Sequence, residues 1–87
     1  MSNEKSQIGE VISTLKQQRD EIALKIHLGE MEAKEEFEKA KGKLAEMADE
    51  FEPLKDAAQE SASNLFSSLQ LVGEEIKNSF DRIYKSL

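Results

Sequence analysis

The sequence lacks cysteine and tryptophan, and it contains one proline and one histidine among its 87 residues. Without cysteine, neither a disulfide framework nor a thiolate metal site can stabilise the chain, and a reducing compartment fits. A chain of this length predicts a single domain over residues 1–87, with little interior for the surface that it exposes. Its stability must therefore come from regular helix packing or from association.

Positive charge is also scarce. Lysine and arginine together number 12 against 18 aspartates and glutamates, which gives a formal net charge of −6. This balance repels phosphate backbones and anionic head groups, so we expect no nucleic-acid partner and disfavour a membrane. The first ten residues, MSNEKSQIGE, contain no apolar run typical of a secretory signal or a membrane span. The prediction is a cytoplasmic protein.

What the sequence does contain is a long helical pattern. At about 100° per residue, thirteen apolar side chains of the first half fall within an arc of roughly 100° on one helix face. This stripe predicts one helix from about residue 3 to about residue 50. Its members are Ile8, Val11, Ile12, Leu15, Ile22, Ile26, Ala33, Phe37, Ala40, Leu44, Met47, Ala48 and Phe51.

A second stripe follows Pro53 and predicts a helix over about residues 54–86. Proline suits a first helical turn and disfavours helical geometry in the residue before it, so we predict a turn at about residues 51–53. The fold class is thus all-α, a long hairpin of two amphipathic helices. The two stripes differ in phase by only about 20°, so one long helix kinked at Pro53 within a coiled-coil oligomer is the alternative. The second stripe comprises Leu54, Ala58, Ala62, Leu65, Phe66, Leu69, Val72, Ile76, Phe80, Ile83, Tyr84 and Leu87.

The two predicted helices differ in length, and this difference predicts association. In the hairpin, the first helix would extend about 25 Å past the end of the second. An apolar stripe in such an overhang needs a cover, so we predict a homo-oligomer interface there, with a dimeric four-helix bundle favoured. The overhang residues are Ile8, Val11, Ile12 and Leu15.

A smaller apolar group lies opposite the main stripe. Leu24, Leu28 and Met31 follow i, i+4 and i+7 spacing, which places them together on the far side of the predicted first helix. They either dock a further helix, as part of the oligomer interface, or are the scattered exposed apolar residues that protein surfaces ordinarily carry.

No residue set indicates catalysis, a cofactor or a metal. The sequence has no cysteine nucleophile, no serine and acid arranged around His27, and no glycine-rich phosphate loop. Bundle metal sites of the carboxylate-bridged type need a Glu-x-x-His pair on two helices, but Leu24 stands three residues before His27. We therefore predict a protein that is not an enzyme and has no cofactor or metal site.

The segments KIHLGEMEAKEEFEKAK and LVGEEIKNSFDRIYKSL resemble short bacterial coiled-coil proteins that have no assigned activity. The resemblance implies a bacterial, helical, self-associating protein, and it supplies no catalytic or binding residues.

These observations favour a structural or interaction protein that self-associates through its amphipathic helices. Two alternatives stay open. The chain is an adaptor that presents one helical face to a different protein, in which case Leu24, Leu28 and Met31 would remain exposed in the pure protein. Or it binds lipid surfaces peripherally, although its acidic balance argues against anionic membranes.

Overall fold

The computed structural model describes the backbone of residues 4–56 and 59–87 and the side chains of residues 6–55 and 64–87. Within these ranges the chain forms three α-helices: α1 (Glu4–Lys25), α2 (Met31–Phe51) and α3 (Gln59–Lys85). Short 3-10 helices at Ile26–Leu28 and Glu52–Asp56 follow α1 and α2. The all-α prediction is confirmed. No helix in the described part of the chain is long and apolar enough to cross a membrane.

The predicted continuous helix from about residue 3 to about residue 50 is wrong. The chain leaves helical geometry at Gly29 (φ −84°, ψ 162°) and Glu30 (φ −75°, ψ 169°), and α2 starts at the next residue. The Gly29 N–H donates to the Ile26 carbonyl at 2.9 Å and closes the 3-10 turn. The predicted start near residue 3 lies outside the described residues. Three packed helices therefore replace the predicted two-helix hairpin.

Packing explains this break. At Gly29 an added Cβ would lie 2.9 Å from Leu87 Cδ2 and 3.3 Å from Ala33 Cβ, so the absence of a side chain lets the turn and the end of α3 approach closely. Neither Gly29 nor Glu30 contributes a large apolar side chain, which leaves a gap in the stripe where the helix ends. Folding back at this gap allows the stripes of α1 and α2 to share one core.

The second reversal begins near Pro53, as predicted, but it is longer than the predicted turn over residues 51–53. Phe51 ends α2, and a 3-10 helix then continues to Asp56, while residues 57–58 are outside the described backbone. Lys55 Nζ lies 2.8 Å from the Glu52 carboxylate, and this hydrogen bond and charge lower the pKa of Glu52. Because α2 and α3 pack against each other, the alternative of one Pro-kinked helix is also wrong.

Cross-helix contacts define the directions of the helices. Gln70 Nε2 donates to Gln7 Oε1 at 3.1 Å, and Gln18 Nε2 donates to Asp81 Oδ1 at 3.4 Å, so α1 and α3 run parallel with a constant offset of 63 residues. Against α2 the order is reversed. The Phe37 ring lies 6.1 Å from the Phe80 ring, whereas Met47 lies beside Gly73.

The core lies between the three helices and takes its side chains from the predicted stripes. Half-buried Val11, Ile26, Ala48, Leu54, Val72 and Leu87 pack around it. Parts of all three helices line the core, so most of the stripe is covered within one chain. Its buried members among the described residues are Ile8, Ile12, Leu15, Ile22, Phe37, Ala40, Leu44, Met47, Phe51, Phe66, Leu69, Ile76, Phe80 and Ile83.

The predicted overhang is consequently wrong. Ile8, Ile12 and Leu15 are buried inside the single chain, and Val11 packs at the edge of the same core. The break at Gly29 brings α2 and α3 alongside α1, so no 25 Å extension projects from the end of a hairpin. These four residues lack the free surface on which the interface prediction depended.

Candidate interaction surface

Three large apolar side chains stand in solvent where α1 turns into α2. Leu24 lies in the last turn of α1, Leu28 ends the 3-10 helix and Met31 is the first residue of α2. Their exposed fractions are 76%, 65% and 75%. We call this group the corner surface. Because the helix breaks between them, the predicted single helix face is wrong, although the predicted separation of these residues from the core agrees with their exposure.

The corner surface lies at the end of the molecule where α3 finishes. Lys25 Nζ donates to the Tyr84 hydroxyl at 3.1 Å and lies 5.0 Å from the centre of the Tyr84 ring. Leu87 packs against Gly29, as described above. The end of α3 therefore packs against the turn between α1 and α2. The Lys25 ammonium also makes a cation–π contact with the Tyr84 ring.

A cleft of about 400 Å³ opens beside Leu28. Arg82 Nη2 donates to Glu36 Oε1 at 2.7 Å across the cleft and joins α3 to α2. Glu30 and Glu32, by contrast, form no ion pair within the described part of the chain. The cleft thus places two free carboxylates next to an exposed leucine. Its lining residues are Leu28, Glu30, Glu32, Ala33, Glu36, Arg82 and Ser86.

A larger groove of about 530 Å³ follows the seam between α1 and α3. Val11 and Leu15 form its apolar wall, and Gly73 of α3 lies at its floor. A Cβ at Gly73 would lie 3.0 Å from Val11 Cγ1 and 3.1 Å from Met47 Cε, so this glycine permits a close three-helix contact. The groove is the outer edge of the core, because Leu15 belongs to the core and Val11 packs against it.

Sequence reasoning missed two exposed members of the second stripe. Leu65 and Tyr84 were placed on the apolar face of α3, yet they are 54% and 45% exposed, as is Leu71 outside that stripe. α1 and α2 pack against α3, but together they cover only part of its apolar face. Leu65 and Tyr84 lie outside the covered part. The buried side chains of α3 occupy a narrower arc than the predicted stripe, and their position in this arc distinguishes them from Leu65 and Tyr84. They are Phe66, Leu69, Ile76, Phe80 and Ile83.

His27 is exposed in the 3-10 turn. Among the described residues, no group of three or more histidines and carboxylates is placed to hold a metal ion. Comparisons of the chain with protein-family models, with curated proteins and with solved structures find no match.

Proposed function

We propose that this chain is a non-enzymatic interaction protein that binds another polypeptide through the corner surface. The observation that supports this most directly is the exposure of Leu24, Leu28 and Met31 within eight consecutive residues, while most of the described stripe residues are buried or half-buried. Exposed apolar groups concentrated at one place are typical of protein-binding sites, because covering them removes unfavourable contact with water.

Self-association was the first expectation from the sequence, and it rested on an apolar overhang that the fold does not have. The stripes have a cover within one chain, so a second copy would have to pack on the corner surface instead. The adaptor alternative, in which a different protein covers the surface, already expected Leu24, Leu28 and Met31 to be exposed in the pure protein, and they are exposed in the single chain. Peripheral lipid binding has less support, because the amphipathic faces would have to leave the core first.

Site-specific photo-crosslinking tests this function. A photoreactive amino acid replaces Leu28 in one variant and Leu71 in another, since both leucines are 65% exposed but Leu71 lies outside the corner surface. Irradiation in the cells that produce the protein should give a discrete adduct from position 28 that position 71 does not give.

The mass of the adduct then identifies the class of partner. An adduct of twice the chain mass indicates a second copy, and any other discrete mass indicates a different protein. Equal products from both positions, or none from either, would remove the corner surface as the binding site.

A further inference from the structure

The corner surface lies within one of two acidic segments of the chain. Residues 20–36 contain six carboxylates and two lysines, so these 17 residues account for four of the six net negative charges. Residues 1–19, by comparison, contain three cationic side chains and two carboxylates. The apolar group that lacks a cover thus lies in an acidic segment, although residues 44–60, with six carboxylates and one lysine, carry still more net negative charge.

Few of these carboxylates are neutralised within the chain. Asp20 pairs with Arg19 at 3.0 Å, and Glu36 pairs with Arg82 at 2.7 Å. Four others, Glu21, Glu30, Glu32 and Glu35, have no ion pair in the part of the chain that the structure describes. The Lys25 ammonium is directed to Tyr84, and Lys85 lines a neighbouring cavity that Glu21 also lines.

The unpaired carboxylates flank the apolar side chains one by one. Glu21 precedes Leu24 by three residues on α1, and Glu35 follows Met31 by four residues on α2, spacings that make helix neighbours. Glu30 and Glu32 line the cleft together with Leu28. Each exposed apolar group therefore has at least one free carboxylate beside it.

We propose that the corner surface binds a cationic amphipathic helix of a partner protein, an inference that rests on the proposed function. Apolar side chains of the partner helix cover Leu24, Leu28 and Met31, and lysine or arginine side chains beside them reach the free carboxylates. A second copy of this chain is disfavoured as the occupant, because it would bring the same acidic rim against its own. A contact that relies on three exposed apolar side chains predicts a transient complex.

Three synthetic helical peptides of about 15 residues test this partner chemistry. They share one leucine face and differ only at the flanking positions, which are lysine in the first, glutamine in the second and glutamate in the third. One tryptophan in each peptide reports binding, because the protein itself has none. We expect the lysine peptide to bind the full chain about tenfold more tightly than the glutamine peptide, and the glutamate peptide to bind more weakly still.

Salt concentration gives an independent readout. Raising sodium chloride from about 0.05 M to about 0.5 M should weaken the lysine peptide severalfold and leave the glutamine peptide nearly unchanged, because salt screens exposed charges. Equal salt dependence of the two peptides would contradict the proposal.

Matched variants locate the contact. Glu30→Gln with Glu32→Gln should weaken the lysine peptide severalfold and leave the glutamine peptide unchanged. The control, Glu74→Gln with Glu75→Gln, removes the same charge from α3 and should change neither affinity. Leu24→Ser with Leu28→Ser should weaken both peptides. All six of these side chains are exposed, so circular dichroism should show unchanged helicity.

The outcomes separate the two levels of the proposal. If the glutamine or glutamate peptide binds as tightly as the lysine peptide, the cationic partner is excluded while the corner surface stands. If no peptide binds, or if the Glu74 and Glu75 control weakens binding as much as the Glu30 and Glu32 variant, both the partner chemistry and the location are overturned.

Discussion

Leu15 and Leu24 lie nine residues apart on the same helix, and they have opposite surroundings. Leu15 is 1% exposed and contributes to the core, whereas Leu24 is 76% exposed. Nine residues correspond to two and a half helical turns, so the two side chains project from opposite faces of α1. The comparison teaches that the position of a leucine around the helix, and not its hydrophobicity, decides whether this chain covers it.

Alanine substitutions of Leu15 and Leu24 test this comparison directly and give the largest expected effect. Leu15→Ala should lower the free energy of unfolding by about 2–5 kcal/mol, because it removes buried methyl groups and leaves a cavity. Leu24→Ala should change it by less than about 0.5 kcal/mol, because Leu24 has no cover to lose. Urea unfolding followed by circular dichroism measures both values at equal protein concentration.

The same pair also tests self-association. If Leu24→Ala lowers the free energy of unfolding nearly as much as Leu15→Ala does, and the decrease grows with protein concentration, then a second copy covers the corner surface. That result would contradict the contrast between the two faces.

A second pair of variants sharpens the contrast between covered and uncovered helix faces. A Cβ added at Gly73 would lie 3.0 Å from Val11 Cγ1 and 3.1 Å from Met47 Cε, whereas a Cβ at Gly42 meets nothing within 4 Å. Gly42→Ala should stabilise the protein by about 0.5–1 kcal/mol, because alanine loses less backbone entropy in a helix. Gly73→Ala should destabilise it by about 1 kcal/mol, since crowding exceeds that gain.

Thermal unfolding of the two glycine variants beside the wild type gives the signs. Opposite shifts of the unfolding midpoint are expected. If both midpoints rise, the three helices do not approach closely at Gly73, and the contact between α1 and α3 has room for an added methyl group.

The smallest expected effect concerns the exposed turn after α2. Lys55→Ala removes the hydrogen bond and charge that lower the pKa of Glu52, so that pKa should rise toward its ordinary value. A lowered carboxyl pKa stabilises the fold above the ordinary pKa, and the contribution disappears as the pH falls through the folded value. Solvent screens this exposed pair, so we expect no measurable change in the unfolding midpoint.

Carbon-13 NMR titration of the Glu52 carboxyl group measures this shift. Lys77→Ala is the control, because Lys77 pairs with Asp81 on α3 instead. A Glu52 pKa that does not respond to Lys55→Ala would show that the turn does not hold the two side chains together.

The core was largely predictable from the sequence. One apolar residue per helical turn placed Ile22, Leu44 and Phe80 on the apolar faces, and each is buried. This success has a simple cause. The angle around a helix depends only on local geometry, so it can be computed before any tertiary contact is known.

The break between α1 and α2 was not predictable from the same pattern. The stripe keeps its phase from Ile26 to Ala33, and a glycine inside a helical pattern costs only about 1 kcal/mol. At the break Gly29 lies close to Leu87, far away in the sequence, and the chain folds back so that α2 packs on α3. Local preference favoured continuation, and packing against α3 decided otherwise.

The candidate surface was predictable in part. The phase of Leu24 and Leu28 opposite the stripe indicated that they would lie away from the core, as they do. The cleft beside Leu28 needed the fold, because Arg82 reaches Glu36 from another helix and leaves Glu30 and Glu32 unpaired. Glu30 and Lys34 stand four residues apart, a spacing that favours an ion pair on a helix, yet they form none among the described ion pairs.

The parallel course of α1 and α3 has a consequence for the order of folding. Every contact between these helices closes a loop of about 60 residues, whereas antiparallel helices can start from contacts beside their turn. Because long loops lose more chain entropy on closure, we expect an antiparallel pair to form before α1 and α3 meet. Weakening the parallel seam should then speed unfolding while leaving the folding rate nearly unchanged.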